Sequence, residues 1–400
     1  MQKKSLHDLA VFTGKPAFSE PLHVGRPNIG NRAALTRRME DILDSRWLTN
    51  NGPYVQEFER RICELTGAAH CVSMCNGTVG LELVIRALGM SGEVIVPSFT
   101  FIATVHALQW QGIQPVFCDV DPLTHTIDPA AAEKLITPRT SGIIGVHLWG
   151  RPAAPERLAD LAQKHKLKLV FDAAHALGCT HQGIGIGNFG DAEVFSFHAT
   201  KFINSFEGGA VVTNDAALAG RLRMMHNFGF TGYDCVESIG TNGKMPEISA
   251  AMGITSLESL ENFVAHNRRN FDAYAHRLGG LPGLRLYRFP EEDRYNWQYV
   301  TLEIDPAAAL TRDEIMQMLH AENVLARRYF YPGCHRMEPY RSLYPNAPSS
   351  LPHTEALVQR VLSLPTGTAV SDSDIASICE LVTLALNNPD AVRKRLASNQ

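Results

Sequence analysis

From about Leu35 to Asp215 the chain alternates short apolar runs with helical patterns, and this alternation constrains the fold more than any other feature. Glu93 to Val96, Gln114 to Cys118 and Ser141 to Leu148 read as strands, and His70 to Met74 is an apolar run ahead of a helical pattern from Val79 to Leu88. Apolar strands separated by helices predict an α/β fold, a mostly parallel sheet flanked by helices in a large domain. A helical pattern follows Pro246. Beyond it, a strand at Gln298 to Ile304 mixes with helices at Thr311 to Leu319 and Asp372 to Leu386, which predicts a smaller α+β C-terminal domain. The expected division is an N-terminal segment 1–34, a large domain 35–261 and a small domain 262–400. With 400 residues, 45% of them apolar and 20% charged, the chain can bury two sizeable cores.

Two residues at strand ends carry the chemistry. Asp172 follows the mostly apolar run Leu167 to Phe171, where open α/β sheets bind ligands, and Lys201 closes the run Val194-Phe195-Ser196-Phe197-His198-Ala199-Thr200-Lys201. An amine that can hold an aldehyde as a Schiff base, with a carboxylate that can keep a pyridine nitrogen protonated, reads as a pyridoxal phosphate site. Taken singly, a lysine after a strand is most often a solvated surface residue and an Asp at a strand end a cap or turn former. A phosphate site elsewhere in the chain favours the functional reading. Cys75-Asn76-Gly77-Thr78 joins the apolar run to the helical pattern, so Gly77 allows close approach of an anion and Thr78 offers a hydroxyl and an amide at a helix N-terminus. A plain helix cap is the alternative for this turn. Asn76-Gly77-Thr78 also spells a glycosylation sequon, but no other feature points to secretion.

These segments, in this order, resemble the fold-type I aminotransferases and, more narrowly, the nucleotide-sugar aminotransferase family. The resemblance also rests on Pro97-Ser98-Phe99-Thr100-Phe101-Ile102-Ala103-Thr104, Asp172 to Ala176, Glu207-Gly208-Gly209-Ala210-Val211-Val212, Asn227-Phe228-Gly229-Phe230 and Gly240 to Met245. It implies that Phe101 stacks on the cofactor ring, His175 lies near its phenolic oxygen and Ser196 binds its phosphate. It further implies that Asn227 reaches the phosphate from a neighbouring subunit of a homodimer, and that His335, in Tyr331-Pro332-Gly333-Cys334-His335, lies near the sugar. For Phe101 a core position on a helix from Phe101 to Trp110 stays open, as do structural histidines at 175 and 335. The implied reaction takes an amino group from glutamate to a nucleotide-linked keto sugar, nearest to a 4-amination of TDP-4-keto-6-deoxyglucose, with 3-amination of a TDP-3-keto sugar as the alternative. A dehydratase branch of the same fold carries histidine where this chain has Lys201. A non-catalytic cofactor-binding regulator and a cofactor-free α/β domain remain as rivals.

The balance of 37 basic against 41 acidic side chains, a net charge of −4, gives no electrostatic footprint for nucleic acid or an anionic membrane. Eight cysteines are scattered without paired metal-ligand spacing, so no metal is expected and a reducing, cytoplasmic setting is. The start Met1-Gln2-Lys3-Lys4-Ser5-Leu6 is basic but lacks an apolar signal-type stretch, and no segment has the length and apolarity of a membrane span. Gly185-Ile186-Gly187-Asn188-Phe189-Gly190 matches the dinucleotide fingerprint as a string. It precedes a strand instead of opening a helix, so it reads as a turn.

Overall fold

The computed structural model describes residue 3 and residues 5–398; Met1, Gln2 and Lys4 of the predicted N-terminal segment, and Asn399 and Gln400 at the C-terminus, lie outside the described residues. Seven strands form the central sheet: β1 (His70–Met74), β2 (Glu93–Pro97), β3 (Gln114–Cys118), β4 (Thr140–Val146), β5 (Lys168–Asp172), β6 (Ala192–Ser196) and β7 (Gly209–Thr213), in the spatial order β1-β7-β6-β5-β4-β2-β3. Only β7 runs against its neighbours, pairing antiparallel with both β1 and β6. The other pairs are parallel, as the strand-helix alternation requires. The expected strand from Ser141 to Leu148 ends at Val146 because His147 turns away from the sheet.

Successive residues of each strand feed opposite faces. Val94, Val96, Val170, Val194 and Val211 join one buried cluster, while Ile95, Ile143, Leu169 and Phe171 join another. Because both faces are covered, these strands are apolar throughout rather than alternating. The parallel strands all point their C-terminal ends to one edge. That edge gathers the turns after Met74, Pro97, Val146, Asp172 and Ser196 into one place.

The helical pattern after Pro246 resolves into two helices, Glu247–Leu257 and Leu260–Leu278, broken at Ser259, whose φ of −102° and ψ of 5° leave the helical basin. The proposed division at 261/262 falls at the head of the second. Beyond it, Leu284–Leu286, Val300–Ile304 and Val361–Leu364 form a three-stranded antiparallel sheet with the helices Arg312–Ala321 and Asp372–Leu386. The N-terminal segment is tied to this part: Leu22–His23 pairs in parallel with Val324–Leu325. No helix among the described residues is long and apolar enough to cross a membrane.

The Gly185 to Gly190 string lies before β6, and its backbone amides serve a carboxylate of the protein. Gly187 and Phe189 donate to Glu193 Oε1 at 2.8 and 2.7 Å, and Glu193 Oε2 sits 3.1 Å from His147 Nε2.

Candidate active site

Asp172 is buried at the end of β5, where it has left the apolar run that fixes the strand. Its Oδ1 accepts from the Ala174 amide at 3.1 Å and its Oδ2 from the Thr104 hydroxyl at 2.8 Å. Thr104 Oγ1 in turn lies 2.9 Å from Thr100 Oγ1. These two donors fix the carboxylate in orientation, and with no salt-bridge partner among the described residues its charge is available to a ligand.

Lys201 follows β6 in a turn closed by its own amide, which donates to the His198 carbonyl at 2.8 Å. The side chain is half-buried, and burial pushes its ammonium down to about 8 against the opposing pull of Asp172. More of the amine is then neutral at pH 7 than in an ordinary lysine. This is the condition a nucleophilic lysine needs.

His175, in the turn that follows Asp172, is buried and held well below the ordinary imidazole range, first by burial and then by the charge of Lys201. Its Nδ1 accepts from the Trp149 amide at 3.2 Å, which puts the ring proton of the neutral form on Nε2. One face of the ring stacks on Phe330 at 5.9 Å and 6°, and Tyr299 leans on it at 4.7 Å.

The strand-turn-helix at Cys75 to Thr78 forms as expected. Asn76 caps helix Gly77–Ala87 by accepting from the Val79 amide at 2.9 Å, leaving the amides of Gly77 and Thr78 at the open end of the helix. Ser196, the last residue of β6, lies against this turn, its Cβ 3.3 Å from where a Cβ on Gly77 would be. Gly209 makes the approach possible: a Cβ there would fall 2.4 to 2.6 Å from Asn76 C and O and Gly77 N. Sheet edge and helix end are thus pressed together around backbone amides, a shape suited to a phosphate.

Phe101 is 56% exposed, which removes the core alternative. It stands at the N-cap of helix Ile102–Gln109, with Phe330 at 6.3 Å, on the wall of a cavity of about 380 Å³ that Tyr329, Tyr331, Arg327 and Arg328 also line. Arg328 pairs with Asp313 at 3.1 Å. Arg327 has no carboxylate pair among the described residues, and its guanidinium lies 5.3 Å from the Tyr329 ring centre.

Two expected residues stand apart. Asn227 bridges to Asn242 and lines a separate small cavity with Asn50, Asn51, Arg223, His226 and Lys244, so a single chain does not bring it to Lys201. His335 as a sugar contact needs correction: it is 0% exposed, its Nδ1 is 2.6 Å from Ser98 Oγ and its Nε2 2.5 Å from Glu355. Both ring nitrogens are used by the protein, so none is left for a ligand. Thr104 was not anticipated. Its only signal was the i, i+4 spacing of two hydroxyls, Thr100 and Thr104, ahead of an apolar strand.

The donors match the needs of pyridoxal phosphate: an anion for the ring nitrogen, an amine of lowered basicity for the aldehyde and a cradle of amides for the phosphate. If Thr104 orients the carboxylate, Thr104→Val keeps the shape and loses a hydrogen bond to a charged group worth about 1.5–3 kcal/mol. Turnover is then expected to fall roughly 10-fold or more while the chain still folds, with a melting temperature lowered by only a few degrees. Native kcat in the variant would remove Thr104 from the site.

The model of the DegT/DnrJ/EryC1/StrS aminotransferase family matches residues 31–383. A dTDP-4-amino-4,6-dideoxy-D-glucose transaminase of Shigella dysenteriae is 36% identical over 359 residues, covering 90% of this chain and 97% of that protein. A GDP-perosamine synthase of Caulobacter vibrioides is 33% identical over 341 residues, 84% of this chain and 91% of that one. Among solved structures, DesI in the presence of its TDP-sugar product superposes with a TM-score of 0.94 at 52% identity, covering 98% of this chain and all of that one.

Proposed function

Because the chain belongs to the DegT/DnrJ/EryC1/StrS aminotransferase family, we propose that it carries an amino group from glutamate to C4 of TDP-4-keto-6-deoxyglucose, giving TDP-4-amino-4,6-dideoxyglucose. The observation that carries the reading is the half-buried Lys201 amine, lowered to about 8, beside a buried carboxylate whose orientation Thr104 and Ala174 fix. The choice of nucleotide and sugar is supported by the likeness to DesI and to the Shigella transaminase.

Pyridoxal phosphate, when bound, supplies an electron-poor ring that stabilises negative charge at the carbon from which a proton is lost. Lys201 would hold the cofactor and, once an amino donor displaces it, move the proton between substrate carbon and cofactor carbon. Asp172 would keep the ring nitrogen protonated. Gly77, Thr78 and Ser196 would take the phosphate, Phe101 would cover the ring and neutral His175 could donate from Nε2 to the phenolic oxygen. Arg327 is suited to the negative charge that both substrates carry.

The reading includes a homodimer in which Asn227 serves the partner's phosphate site. Exposed Trp47, Leu48, Phe228 and Phe230 support an interface. A cytoplasmic setting is supported by eight cysteines that are all free.

The reaction is tested by giving the enzyme glutamate and TDP-4-keto-6-deoxyglucose and locating the nitrogen-bearing carbon of the product by NMR. Nitrogen at C4 is expected. Nitrogen only at C3 would overturn the choice of position, and reaction with a GDP-linked sugar alone would overturn the nucleotide.

A further inference from the structure

Asn28 is 2% exposed, in the stretch of N-terminal chain that passes between the small domain and the Lys201 turn. Its side-chain Nδ2 donates to the Phe202 carbonyl at 3.0 Å, while its Oδ1 accepts from the Thr368 amide at 3.1 Å and the Thr368 hydroxyl at 2.7 Å. Its backbone carbonyl accepts from Asn204 Nδ2 at 2.9 Å. Three residues earlier, Gly25 forms a bridge to Thr366 and lies so close to the turn that a Cβ on it would come 3.0 Å from Thr200 Cβ. The residues on both sides of Lys201, Thr200 and Phe202, are therefore touched by one short stretch. Upstream, Leu22 and His23 pair with Val324 and Leu325, and the chain beyond Leu325 runs directly into Arg327 and the aromatic wall of the cavity that Phe101 lines.

We propose that Asn28 is a positioning residue for the reaction: it ties the Lys201 turn to the Thr366–Thr368 segment of the small domain and so fixes where the lysine amine stands in the cleft. The proposal rests on the reading of Lys201 as the cofactor-bearing amine. Its physical basis is the number and direction of the contacts. A buried amide bonded on both its nitrogen and its oxygen has one orientation, and here the two sides belong to different parts of the fold. With an alanine at 28, the Phe202 carbonyl and the Thr368 amide lose their partner, and water can enter beside the turn to replace it.

The groups facing the lysine are Asp172 from the end of β5 and His175 from the loop that follows, and neither is touched by the substitution. A change in the lysine's titration would therefore report its exposure to water. The experiment acetylates the cofactor-free protein competitively across a pH series and reads Lys201 by peptide mass spectrometry, alongside kcat of the loaded enzyme and borohydride labelling. Relative to the native chain, Asn28→Ala is expected to raise the Lys201 midpoint by about one unit, toward the ordinary lysine value. Turnover is expected to fall roughly 10-fold as the amine loses its position. Thr368→Val should move the midpoint in the same direction by less, and Thr368→Ser, which keeps the hydroxyl, should restore it.

A folded Asn28→Ala chain with the native midpoint would overturn the proposal. If that chain does not fold, Thr368→Val decides: a native midpoint there overturns it equally. A borohydride label on another lysine would instead defeat the reading of Lys201 itself, so the two failures are distinguishable.

Discussion

Lys201→Ala is expected to abolish turnover, by on the order of 10⁴-fold or more, while the protein folds as before. The loss should be this large because one amine would serve twice, as the point of attachment and as the base that moves the proton. The fold should survive because the side chain is only half-buried, in a turn that its own backbone amide closes, and its neighbour Asp172 keeps the hydrogen bonds from Thr104 and Ala174 without it. Borohydride reduction followed by peptide mapping should place the cofactor on Lys201 in the native chain and nowhere in the variant. In the native, cofactor-free protein the rate of cofactor capture should rise with pH and level off above about 8, since only the neutral amine attacks and burial has brought its midpoint down to that value. A label on another lysine, or a capture rate that keeps rising to about pH 10, where an ordinary lysine titrates, would sink the assignment.

Lys201 and Asp172 were legible because their chemistry is demanding and their context is local: each follows an apolar run, and a strand end in such a sheet is where ligands bind. The turn at Asn76 to Thr78 was legible for the same reason, as a strand, a glycine and a helix start within a few residues. What escaped depends on partners distant in sequence. Thr104 reaches Asp172 across 68 positions, and nothing in the helix that carries it announces a buried carboxylate next door. His335 was assigned to the sugar only through the family resemblance, which places the segment Tyr331 to His335 near it. Whether its ring nitrogens are free was decided by Ser98, 237 positions away, and by Glu355. Asn28 gave no signal at all, since Phe202, Asn204 and Thr368 meet it only after the N-terminal stretch has crossed between the two parts of the fold.

The same local wiring sets the outcome at Asp172. Asp172→Asn is expected to lower turnover roughly 10²- to 10³-fold, because a neutral amide cannot hold the ring nitrogen in its protonated state. The variant should fold. The amide oxygen can keep the Ala174 bond, and the amide nitrogen can donate to Thr104 Oγ1, whose hydroxyl is free to turn toward Thr100 Oγ1 at 2.9 Å. Attachment of the cofactor should respond in the opposite sense to turnover. Asp172 is the charge that raises the Lys201 midpoint against burial, so its removal should bring that midpoint below its native value of about 8 and leave more neutral amine at pH 7. The expected signature is therefore an enzyme that captures pyridoxal phosphate at least as fast as the native chain at neutral pH and then scarcely reacts with glutamate. Slow capture with a raised Lys201 midpoint would mean that Asp172 does not face the amine, and near-native turnover would mean that it does not face the ring.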